Sequence, residues 1–135
     1  MNGLIAVLLL ASSYSIPPPG SVQRKAVLAG LRPAVEERLG PALEFKVAVI
    51  RIQGDWAFVV ADPQSRGGKA INGWKLFGDD FGNMDGLRVD AVLHRQQGRW
   101  IVADYAIGAT DVWYCDVGPR SLKSGWGCYS AGQFR

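Results

Sequence analysis

The sequence predicts an α+β domain, with one N-terminal helix laid on a four-stranded antiparallel sheet and a disulfide-closed C-terminal tail. Three observations carry this expectation. Residues 22–39 repeat apolar side chains at three- and four-residue steps, the period of a helix with one buried face. Two later segments read as hairpins around a shared Gln-Gly-x-Trp turn, at Gln53-Gly54-Asp55-Trp56 and Gln97-Gly98-Arg99-Trp100. Cys115 and Cys128 then bracket a stretch rich in Gly and aromatics that has little means of fixing itself. A length of 135 residues suits one such domain and is too short for two ordinary ones. At 48% hydrophobic and 20% charged residues, the chain has the profile of a packed domain rather than a disordered one.

The N-terminus reads as an export signal. Residues 4–11 (LIAVLLLA) form an uninterrupted apolar run, too short for a bilayer span of about 20 residues but suited to a secretory h-region. Small residues at Ala11/Ser13 or Ser13/Ser15 offer cleavage positions, so residues 1–15 are expected to be a signal peptide. Residues 16–20 hold Pro17-Pro18-Pro19, a stiff linker that continues neither helix nor strand. That leaves 21–135 as a single domain, with no membrane span expected in the mature chain. A Cys115–Cys128 bridge fits the same oxidising destination, periplasmic or secreted, and would contribute about 3 kcal/mol by restricting the unfolded chain.

Each element follows from local chemistry. Val27, Leu28, Leu31, Val35 and Leu39 form the helix stripe, Ser21 is a suitable N-cap, and Gly40-Pro41 is a stop. Pro33 interrupts the middle, predicting either a kink or a second short helix that begins there and covers the same core. The strands are expected at 44–52, 55–62, 87–95 and 99–107. A three-residue loop, Gln96-Gln97-Gly98, fits the second hairpin with Gly in the left-handed region. It would pair Arg95 with Arg99 and so set Leu93 opposite Ile101, Ala91 opposite Ala103, Val89 opposite Tyr105 and Leu87 opposite Ile107, each of these four pairs with an apolar body. A two-residue loop would put Asp104 opposite Ala91 on the apolar face. Between the hairpins, the 24 residues 63–86 are expected to be an irregular surface connection whose Trp74, Leu76 and Phe77 tuck onto the sheet edge. A short strand or helix over 70–77 is the alternative.

A helix followed by an antiparallel meander with paired strand aromatics resembles the cystatin/NTF2-like class of small α+β folds. The stretches Asp55-Trp56-Ala57-Phe58-Val59, Gly98-Arg99-Trp100-Ile101-Val102 and Ile107-Gly108-Ala109-Thr110-Asp111-Val112-Trp113 resemble an uncharacterised group of small exported proteins of Gram-negative bacteria. The likeness covers roughly residues 22–114. It implies export and this fold, and it brings no catalytic motif that can be matched residue by residue.

Composition narrows the chemistry. Fifteen Lys and Arg against twelve Asp and Glu leave +3, with no basic stripe, which argues against a nucleic-acid partner. One His and two Cys leave few combinations for a metal or a nucleophile–base pair, and neither metal nor cofactor is expected. The stretch 81–92 lacks acidic residues at the first and twelfth positions of a calcium loop. In the three-residue-loop register Asp90 stands opposite Asp104, a carboxylate pair able to share a proton, and His94 opposite Trp100. These acids are the catalytic candidates of one reading, a small NTF2-like enzyme with both carboxylates in a pocket between helix and sheet. The other reading is a non-catalytic module that binds a protein or small-molecule ligand through His94, Trp100, Trp113 and Trp126.

Overall fold

The computed structural model describes residues 13–128. The apolar run 4–11 and two tail aromatics, Tyr129 and Phe134, lie outside the described residues.

Helix α1 spans Val22–Leu39. Ser21 caps it, its Oγ accepting from the Arg24 N–H at 3.2 Å, and Gly40 ends it at φ 101°, its N–H donating to the Glu36 carbonyl. Pro33 lies inside one continuous helix, on its exposed side, so the missing N–H removes one bond without splitting the element. The stripe Val27, Leu31, Val35 and Leu39 is buried.

Four strands follow in a meander ordered β1-β2-β3-β4: β1 (Leu43–Gln53), β2 (Trp56–Ser65), β3 (Val89–Gln96) and β4 (Arg99–Ile107). Both hairpins close with two-residue turns, Gly54-Asp55 and Gln97-Gly98, since Gln53 pairs with Trp56 and Gln96 with Arg99. The second turn holds Gln97 at φ 52° and Gly98 at φ 76°, the signs of a type I′ turn. The expected three-residue loop is therefore not formed. Its supposed advantage, keeping Asp104 off the apolar face, is achieved by a β-bulge. Leu93 pairs with Val102 and the adjacent Val92 with Asp104, leaving Ala103 as the extra residue. From there Ala91 pairs with Tyr105, Asp90 with Ala106 and Val89 with Ile107. The first hairpin carries the same device, Val47 pairing with Ala61 and Val49 with Val60 around the extra Ala48.

The sheet is covered on both faces, not on one. Against α1 pack Ala57, Val59 and Ala61 of β2, Ala91 and Leu93 of β3, and Trp100 and Ile107 of β4. On the opposite face Phe58, Val60 and Val92 are buried beneath the tail residues Tyr114, Cys115 and Leu122. The tail forms two 3₁₀ turns, Trp113–Asp116 and Arg120–Lys123, held by the Cys115–Cys128 disulfide with α-carbons 5.4 Å apart.

The connection 63–86 is more ordered than its composition implies. Strand β2 runs beyond Asp62 to Ser65, and Ser65 pairs with Lys69. Helix α2 (Gly73–Phe77), capped by Asn72, and a 3₁₀ turn (Gly78–Asn83) complete it. Ile71, Phe77 and Met84 pack on the main core, while Trp74 and Leu76 point outward, 57% and 44% exposed. At the other end, the proline segment lies along the fold. The Ser15 backbone exchanges two hydrogen bonds with Ile52, at 2.8 and 2.9 Å, and Pro17 is buried.

Candidate functional site

The bulge decides the fate of the carboxylates. Asp90 stands opposite Ala106 and Asp104 opposite Val92, so the two acids are not directly opposed across the strand pair. Asp104 is exposed and accepts from the Tyr105 N–H at 2.9 Å. Asp90 is 1% exposed. Its Oδ1 accepts from Arg88 Nε at 3.2 Å, and Arg88 Nη1 also reaches Asp85 Oδ2 at 3.1 Å. Burial pushes the Asp90 carboxyl above the usual range, opposed by the Arg88 charge and hydrogen bond. Asp90 Oδ2 and Trp113 Nε1 are the buried side-chain polar atoms without a hydrogen-bond partner among the described residues.

The aromatic candidates serve packing. His94 faces Ile101, not Trp100, and its ring lies 4.3 Å from that of Trp56. Trp100 is buried against α1, where Gly30 leaves room for it, and the Arg95 guanidinium sits 5.1 Å above its ring. Trp113 and Trp126 are half-buried in the second core, the Trp126 carbonyl accepting from Tyr114 Oη at 2.8 Å. Lys123 is buried, its ammonium donating to the Val117 and Pro119 carbonyls, the former at 2.8 Å. Burial, with Arg120 nearby, brings its pKa down to about 8. Trp100 and Lys123 are buried, while His94, Trp113 and Trp126 keep part of their surface exposed.

The recess best placed to take a ligand lies elsewhere. Strand β2 outruns β3, whose pairing stops at Ala61–Val89, and the connection after Ser65 curls back over the unpartnered stretch. This leaves an open groove of about 380 Å³. Lys46, Asp62 and Gln64 supply its polar side, Ile71, Phe81 and Leu87 its apolar side. Lys46 and Asp62 stand opposite each other in the β1–β2 ladder. Trp74 meets Phe81 edge to face at 5.1 Å and carries the aromatic wall outward into solvent. A second groove, about 300 Å³, runs between α1 and the β3–β4 turn and is lined by Gly30 and Trp100. Neither contains Asp90 or Asp104. The signal for the first groove was present in the sequence: a connection too long for a hairpin, with Trp74 and Phe81 set among glycines.

Among the described residues no helix is long and apolar enough to cross a membrane, and no cluster of three or more His, Cys, Asp or Glu is placed to hold a metal ion. Comparison with protein families, with curated proteins and with solved structures found no match.

Proposed function

We propose that this chain is an exported, disulfide-stabilised binding module of Gram-negative bacteria, akin to the cystatin/NTF2-like folds, that works in the periplasm or outside the cell. Its ligand site is the groove between the end of β2 and the 63–86 connection. The observation that carries this reading is the pairing, in one 380 Å³ recess, of an apolar wall extended by the exposed Trp74 with three hydrogen-bonding side chains. Pockets of a few hundred Å³ with apolar walls and a few placed polar groups are the usual form of small-ligand sites. The chemistry fits a small molecule, or one protruding side chain of a partner, with a flat apolar face and a polar edge. The disulfide and the h-region at 4–11 support an oxidising compartment. In the bulged register Asp90 and Asp104 are no longer directly opposed, which favours the binding reading over the alternative of a small enzyme with paired carboxylates.

Screening ¹⁵N-labelled protein against small aromatic acids and amides tests the proposal. Shift changes are expected at Lys46, Asp62, Gln64 and the Trp74 indole N–H, and Gln64→Ala, at a half-buried rim position, is expected to weaken binding about tenfold, the effect of losing one good hydrogen bond. Changes centred on Trp113 or Trp126 instead would overturn the groove assignment.

A further inference from the structure

We infer that the leader is removed at the Ser13–Tyr14 bond, so that the mature chain begins at Tyr14. This rests on the export reading above and fixes a processing site within it. The sequence offers two positions with small residues three and one before the cut: Ala11 and Ser13, or Ser13 and Ser15. The second would give the longer leader. The fold discriminates between them.

Cleavage after Ser15 would discard two residues that the folded domain uses. Ser15 extends the sheet past β1, its N–H donating to the Ile52 carbonyl at 2.8 Å and its carbonyl accepting from the Ile52 N–H at 2.9 Å. Without it, both Ile52 groups would face outward unpaired on the edge strand. Tyr14 packs on the second core, and the Arg51 guanidinium lies 4.3 Å above its ring. The same guanidinium donates to the Leu122 and Ser124 carbonyls, at 3.2 and 2.7 Å, so Tyr14 and the disulfide-bearing tail are joined through Arg51. Tyr14 and Ser15 are therefore both part of the folded domain. Cleavage after Ser13 is the alternative that keeps all of this. The step is hydrolysis of one amide by the leader peptidase of the export machinery: water adds across the bond, leaving a carboxylate on Ser13 and an ammonium on Tyr14.

The full chain, expressed with its own N-terminus in a Gram-negative host, provides the test. Periplasmic protein analysed by N-terminal sequencing and intact mass is expected to begin Tyr-Ser-Ile-Pro-Pro. A start at Ile16 or any other residue overturns the inference and leaves export standing. Full-length protein confined to the cytoplasm overturns the export reading itself. Two variants make the choice independent of folding: Ser13→Leu is expected to leave uncleaved precursor at the membrane, while Ser15→Leu is still processed. The reverse pattern overturns the assignment.

Discussion

Asp90 shows how one side chain reports its neighbourhood. A carboxylate is ordinarily paired by several donors when it is buried, yet here Oδ1 has Arg88 and Oδ2 has no partner among the described residues. Desolvation therefore outweighs the ion pair, and the folded-state pKa lies above the ordinary value of 3.8. For a carboxyl raised in this way the native state holds its proton over a window in which the unfolded chain has already lost it. Stability owed to Asp90 is present below the unfolded value and declines as pH rises through the folded one. The expected outcome is that Asp90→Asn gains on the wild type as pH climbs from about 4 to 7, read as the difference between urea-unfolding free energies at each pH. A constant difference across that range would show that Asp90 titrates as an exposed acid does.

At the scale of elements, one glycine of α1, Gly30, lies directly against strand β4. A Cβ on Gly30 would come within 2.5 Å of the Trp100 carbonyl oxygen and 2.9 Å of the Trp100 Cβ. Alanine is the better helix former by about 1 kcal/mol, but the obstacle is strand backbone, which cannot swing aside as a side-chain tip can. Overpacking of this kind costs about 1–3 kcal/mol, so Gly30→Ala is expected to be destabilising by about 1 kcal/mol net, with a shift in Trp100 fluorescence. A neutral or stabilising result in urea unfolding would mean that α1 and β4 can move apart.

The elements themselves were legible because their signals are local: the stripe from Val27 to Leu39, the Ser21 cap, and Gly at both turns. The register was not, because it assumed strict alternation. Yet the parity switch is written in the chain. Apolar residues facing α1 run Phe45, Val47, then Ile50, Ile52 on β1, and Trp100, Val102, then Tyr105, Ile107 on β4. The three-residue step in each is the mark of a bulge, and it falls on both outer strands. The long connection with Trp74 and Phe81 pointed to the region of the groove, but its shape was not legible. It is made where β2 outlasts β3, a relation between segments that no single stretch of sequence displays.

The whole molecule is a three-layer sandwich in which β2 and β3 serve two cores at once. Phe58 and Val60 face the tail while Ala57, Val59 and Ala61 face α1, so β2 is apolar without a break from Ala57 to Ala61, as strands buried on both faces are. The tail is thus structural cover, held by two 3₁₀ turns, Tyr114, Leu122, the buried Lys123, hydrogen bonds from Arg51 and to Gln53, and the disulfide. The bridge spans 13 residues in sequence, a loop for which chain-entropy arguments assign about 3 kcal/mol. Replacing both cysteines by alanine is expected to cost roughly that amount. The damage should begin on one side, because α1 and its core make no use of the tail. Intermediate urea should therefore expose Phe58, Val60 and Val92 to an apolar dye and shift Trp126 emission to the red, while helical circular dichroism persists. A loss below 1 kcal/mol with no dye binding would show instead that Tyr114, Leu122 and the Lys123 hydrogen bonds hold the tail without the bridge.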